Sequence, residues 1–175
     1  KQNILVLLQK GLINQMHIAT KSSRIDISKE EQTRFIAKEF SKNIKFGDVL
    51  FLFGELGVGK TTFIKYLINF LQNKTKQKIT EIPSPTFNLV HEYHLDSLKI
   101  KHCDFYRIKD DKELDNLDIF ENINNHITLI EWPEIIKNYK IKNKFELFFE
   151  YEKNFKNRFI TVSSSKNISF LNELK

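Results

Sequence analysis

Cysteine, arginine and long apolar runs are all scarce in this chain, and each scarcity excludes something. A lone cysteine, Cys103, rules out an internal disulfide and fits a reducing cytosol. No apolar run reaches the roughly twenty residues of a membrane-crossing helix, so a cytoplasmic protein is expected. Ile4 to Leu8 is apolar but gives way to Gln9 and Lys10 without a small-residue cleavage site, which makes a poor signal peptide. Met16 is the only methionine, so residues 1–15 read as an upstream extension. Arginine occurs only at 24, 34, 107 and 158, so the formal charge of +6 is carried mostly by scattered lysines, which read as a solvated surface more than as a nucleic-acid face. What the chain does have is a core. With 175 residues, 41% of them hydrophobic and sixteen of them Phe, it suits one globular domain.

The most informative stretch is Gly54-Glu55-Leu56-Gly57-Val58-Gly59-Lys60-Thr61, which fits a phosphate-binding loop. The apolar, β-forming run Val49 to Phe53 precedes it, and Phe63, Ile64, Leu67, Ile68 and Leu71 follow at helical spacing, giving the strand, loop and helix that the motif needs. Glycines let the backbone curl so that N–H groups point inward at a phosphate, and the helix N-terminus adds positive potential. In that frame Lys60 reaches the β- and γ-phosphates and the Thr61 hydroxyl meets Mg2+.

The five glycines, at 11, 47, 54, 57 and 59, all precede Lys60. None remains for the Asp-x-x-Gly switch of a Ras-type GTPase. Asn73-Lys74-Thr75-Lys76 also fails the guanine-reading Asn-Lys-x-Asp, because a lysine replaces the carboxylate. Adenine is favoured by this elimination. A small-molecule kinase stays open, although no Arg-rich lid is evident between 62 and 106.

Around the loop, residues 24–27 read as a short strand, and Ser28 with Glu31 as a capping box opening a helix striped by Ile36, Phe40 and Ile44. Residues 79–82 read as a short strand ended by Pro83-Ser84-Pro85, and 88–95 with 99–106 as a hairpin. The acidic stretch 110–124 carries Leu114, Leu117 and Phe120 at helical spacing. Ile127 to Glu131 is a buried-type strand followed by a short helix, 145–151 and 158–162 form a second hairpin, and 163–175 is a polar tail. The expected fold is a three-layer α/β domain of the P-loop class over 24–162, with a mostly parallel sheet carrying antiparallel hairpins, between a 1–23 extension and the tail.

Hydrolysis needs acidic groups beside the loop. Glu131 and Asp104 both stand at strand ends, where α/β sheets present residues to a ligand crevice. For Glu131 the bland alternative is a solvated strand end, and for Asp104 a local pairing with Arg107 or Lys101. His91, His94, His102 and Cys103 suggest a metal cluster, but strand residues three apart face opposite ways, which argues against it.

Taken with Ser84-Pro85-Thr86-Phe87-Asn88-Leu89-Val90, His102-Cys103-Asp104-Phe105-Tyr106-Arg107 and Glu131-Trp132-Pro133-Glu134, the loop resembles the TsaE family, bacterial P-loop ATPases of tRNA threonylcarbamoyladenosine synthesis, over residues 28–162. The resemblance implies an ATPase, weak alone, that acts with TsaB and TsaD and meets tRNA only through that complex. It implies that Leu56, Gly57, Val58, Gly59, Lys60, Thr61 and Thr62 hold the phosphates and that Thr61 and Glu131 hold Mg2+. Asp104 would lie at the nucleotide near the attacking water, with Lys60, Asp104 and Glu131 carrying the chemistry. Trp132 and Glu134 would border the pocket, Glu30 and Thr33 lie near the base, Arg158 match a basic position on the last hairpin, and Thr86 sense the γ-phosphate. The family's usual Gly-Asp-Leu-Gly is Gly-Glu-Leu-Gly here, a small change for a loop that binds through its backbone. A nucleotide-gated binding module with incidental hydrolysis is the rival outside enzymes.

Overall fold

In the computed structural model, residues 20–21, 24–96, 98–115, 117–153, 155–165 and 170 are described. Most of the expected extension at 1–23 and of the tail at 163–175 lies outside them, although Thr20 and Lys21 are described and pair with the last strand of the sheet. An 8-stranded sheet runs β1 (Thr20–Lys21), β8 (Arg158–Ser164), β7 (Lys144–Tyr151), β3 (Val49–Phe53), β6 (Ile127–Glu131), β5 (Leu98–Asp104), β4 (Val90–Leu95), with β2 (Ile25–Asp26) also on β8. The central strands β7, β3, β6 and β5 are parallel, and antiparallel hairpins close both sides, β7–β8 and β4–β5. This is the expected P-loop-like α/β sheet.

Alternation along the buried strands divides the core in two. Leu50 and Leu52 of β3, with Leu129, Leu147 and Phe149, meet α1 (Glu30–Asn43) and α2 (Lys60–Lys74) on one face. Val49 and Phe51, with Cys103 and Ile130, meet Leu114, Ile119 and Ile136 on the other. That second covering layer is built from 3-10 turns and loops, not α-helix. Phenylalanines knit the helix side: Phe40 makes edge-on contacts with Phe63, Phe145 and Phe170 at 5.5, 5.5 and 5.2 Å. Among the described residues, no helix is long and apolar enough to cross a membrane.

Four local expectations are corrected. The capping box at Ser28 and Glu31 does not form: α1 starts one residue later behind Lys29, and the Ser28 hydroxyl instead accepts the Arg158 backbone N–H at 3.0 Å. Residues 79–82 form no strand, because the Gln72 side chain of α2 donates to the Thr80 hydroxyl at 2.8 Å and accepts the Thr80 N–H at 3.1 Å, which ties the segment to a helix. The helical spacing in 110–124 yields only 3-10 turns at Asp111–Leu114 and Ile123–Asn125 among the described residues. Asp118 and Asn122, at φ 44° and 52°, interrupt any longer helix. A capping box does occur in this stretch, between Asp110 and Glu113. Finally, β8 continues to Ser164, and Phe170 is buried against Phe40, so the supposed polar tail contributes to the core.

Candidate functional site

The site forms where β3 ends and α2 begins. Gly54 leaves the strand at φ 137°, and a Cβ there would stand 2.4 Å from the Phe149 carbonyl oxygen, so only glycine lets the loop leave so close to β7. Gly59 caps α2 in the left-handed region at φ 116°. The first N–H groups of α2, at Lys60, Thr61 and Thr62, have no partner within the helix and carry its positive end. Lys60 is buried: its Nζ donates to the Gly54 and Glu55 carbonyls at 2.7 and 2.9 Å and lies 3.9 Å from the centre of the Trp132 ring. Burial lowers the Lys60 pKa, while Glu131, Glu134 and Asp104 pull it back up.

Opposite the loop stand the two strand-end carboxylates, side by side because β5 and β6 pair Asp104 with Glu131. Both are 2% exposed, so each needs donors. The Thr61 hydroxyl lies 2.9 and 2.8 Å from the two Glu131 oxygens, and His102 Nε2 is 3.0 Å from Oε1. Asp104 Oδ2 accepts from the Ser84 and Thr86 hydroxyls at 2.9 and 2.6 Å, and Oδ1 from the Tyr106 N–H at 2.9 Å. Glu131 is therefore no solvated strand end. Nor is Asp104 paired with its neighbours, since Arg107 lies over the Phe87 ring at 4.2 Å and Lys101 donates to the Asp118 carbonyl.

A cleft of about 310 Å³ is lined by Leu56, Gly57, Gly59, Lys60, Thr61, Thr62, Ser84, Thr86, Asp104, Tyr106, Glu131 and Trp132. Most of the sequence-predicted site thus converges. Val58 is buried beneath the loop, and Glu134 faces Lys60 only electrostatically. Glu30 and Arg158 lie off the cleft lining: Glu30 accepts from the Tyr66 hydroxyl, and Arg158 donates to the Ser28 carbonyl at 3.2 Å. Thr33 is buried in α1. Sequence reasoning missed Ser84, Tyr106 and His102 as members of the site. His102 was legible once Asp104 was placed, because two residues apart on a strand they share a face. His91 and His94 go elsewhere, to Asn88 and Glu92.

Comparison with known proteins agrees with this geometry. The family model described as threonylcarbamoyl adenosine biosynthesis protein TsaE matches residues 27–160. A tRNA threonylcarbamoyladenosine biosynthesis protein TsaE from Rickettsia bellii is 40% identical over 116 residues, 66% of this chain and 78% of that protein. Its Bacillus subtilis counterpart is 38% identical over 107 residues, 61% of this chain and 64% of its own length. The crystal structure of YdiB from Bacillus subtilis superposes with a TM-score of 0.65 at 27% identity, covering 86% of this chain and 90% of that one. Loop, strand-end carboxylates and family match together show that the chain belongs to the TsaE family, named for tRNA threonylcarbamoyladenosine biosynthesis.

Proposed function

We propose that this chain binds ATP with Mg2+ in the cleft and hydrolyses it, and that hydrolysis resets a complex with TsaB and TsaD during N6-threonylcarbamoyladenosine formation on ANN-decoding tRNAs. The observation that carries the reading is a convergence: the open N-terminus of α2, the Lys60 ammonium, the Thr61–Glu131 oxygen pair and the Asp104 carboxylate all face one cleft.

The Thr61 and Glu131 oxygens suit Mg2+, a hard cation that takes few carboxylates and completes its shell with water and substrate phosphates. When bound there, it would neutralise charge on the phosphate oxygens. Lys60 is already aimed at the loop, held by two carbonyls that a phosphate can replace as its acceptor. The α2 N–H groups bind the phosphates through the backbone, which explains why Glu55 is tolerated in the loop. Asp104 stands beside Glu131 and would orient the attacking water by accepting its hydrogen bond. Its present donors, Ser84 and Thr86, belong to the proline-bounded segment that covers this wall.

Lys60→Ala should lower turnover by about 100-fold or more and weaken binding of magnesium nucleotide. Parent-like hydrolysis by that variant would overturn the site. With label on the γ-phosphate, free phosphate is the expected product, and label on an acceptor would replace this reading with a kinase. The gated-binding alternative draws support from the exposed apolar residues Leu56 and Tyr106 at the cleft, with Phe87 beside Thr86. Glu131→Gln separates the two: loss of tRNA modification despite normal assembly favours hydrolysis, and retained modification favours gating.

A further inference from the structure

His102 occupies a place where the fold calls for an aliphatic side chain. It lies within β5, fully buried, beside Leu129 in the register and between Ile100 and Asp104 on the helix-facing side of the sheet. An imidazole there loses its hydration, and its Nδ1 has no hydrogen-bond partner among the described residues. Among the described residues its ring has one polar contact, the 3.0 Å approach of Nε2 to Glu131 Oε1. Since the partner is a carboxylate oxygen, Nε2 is the donor.

We infer that His102 is a positioning residue: its Nε2–H anchors Glu131 Oε1 from within the core, so that the carboxylate is locked in the orientation in which it faces the Thr61 hydroxyl and the cleft. Three facts combine to support this. Glu131 ends a parallel strand, and among the described residues its carboxylate has two side-chain donors, Thr61 from the loop side and His102 from the core side. The donors approach from different elements, α2 and β5, so the carboxylate is fixed against rotation. Finally, Thr61 is itself assigned to the cation through an oxygen lone pair and keeps its proton for Glu131, so it fixes the carboxylate from the cleft side. His102 fixes the same carboxylate from the core side, away from the cation. Hydrogen-bonded partners behind a metal-binding carboxylate commonly contribute 10–100-fold in metal affinity. The inference rests on the Mg2+–nucleotide reading proposed above, and it differs from a purely structural histidine in what it predicts.

The test uses the full chain and titrates magnesium chloride against fixed ADP, read by the fluorescence of Trp132, the single tryptophan, whose ring lies against the Lys60 ammonium. ADP affinity is measured in parallel with EDTA present. His102→Leu, which keeps the volume and removes the donor, should raise the magnesium midpoint by about 10-fold or more while leaving the EDTA affinity unchanged. His102→Gln, whose amide reaches as far as Nε2, should restore the midpoint to within a few-fold of the parent. A parent-like midpoint in His102→Leu overturns the inference, as does a parallel fall of both affinities. Should His102→Leu not fold, His102→Asn replaces it: its shorter amide cannot reach Glu131, so equal midpoints for Asn and Gln variants overturn the inference. A parent protein that shows no magnesium dependence would remove the nucleotide reading itself, and this inference with it.

Discussion

Cys103 and His102 are neighbours in sequence with opposite environments, and the difference is one of strand alternation. Cys103 faces the loop-covered side of the sheet among Val49, Phe51 and Ile130, fully buried, and burial pushes its thiol up to about 12 from an ordinary 9.0. The thiolate is the reactive form, so native Cys103 should resist iodoacetamide at pH 8 and react only as the chain unfolds. Mass spectrometry of samples alkylated with and without denaturant checks this, and rapid native labelling would contradict the packing. The linkage has a definite sign. Because the folded pKa is raised, the stabilisation is present in full below pH 9.0 and disappears as pH rises through about 12. The lone cysteine was legible as a non-disulfide residue, yet nothing in its spacing showed which face it takes. Two residues apart from Phe105, it belongs to the apolar face that leaves His102 and Asp104 to the site.

At the scale of elements, what was legible followed from periodicity and turn chemistry. The loop, its strand and its helix were readable because glycines, apolar alternation and 3.6-residue spacing all agreed there. Where one signal stood alone it failed. The spacing of Leu114, Leu117 and Phe120 matched a helix, but positive φ at Asp118 and Asn122 breaks it; Leu114 is buried from a 3-10 turn, while Leu117 and Phe120 pack half-buried against the same cluster. Ser28 had the right partner spacing for a cap, but β8 claimed its hydroxyl. His126 ends the turn segment, buried with Nε2 3.4 Å from the Ile119 carbonyl. Burial, then the nearby Lys101 charge, lowers its pKa below 6.5, while the Ile119 carbonyl and Glu92 oppose them. The unfolded chain therefore takes up this proton first. The stabilisation is present above pH 6.5 and is lost as pH falls through the lower folded value. Urea midpoints measured at pH 7 and pH 5 should fall more for the parent than for His126→Gln, and equal slopes would show that this ring does not govern the segment's acid response.

Across the whole molecule, the functional groups gather at the C-terminal ends of the parallel strands on the side covered by α1 and α2. Sequence order alone could suggest that edge, because Thr61, Asp104 and Glu131 each end or follow a strand. It could not show that Ser84 and Thr86 fold back onto Asp104, since two prolines forbid a helix without saying what the extended segment touches. The same fold-back leaves Phe87 80% exposed, with the Arg107 guanidinium over its ring. An aromatic this exposed beside a nucleotide cleft, with Tyr106 and Leu56 also uncovered, forms an apolar rim of the kind that partners cover. Phe87 does not line the cleft. The proposed partnership therefore predicts a separation of effects. Phe87→Ala should leave ADP affinity and unassisted ATP turnover of the isolated chain within about 2-fold, a change below ~0.5 kcal/mol as for other surface substitutions. Stimulation of turnover by added TsaB and TsaD should fall by about 10-fold, the size expected when an aromatic anchor worth roughly 1–2 kcal/mol leaves an interface. Equal loss in both assays would place Phe87 in the nucleotide site instead, and no loss in either would move the partner surface to another face of the sheet.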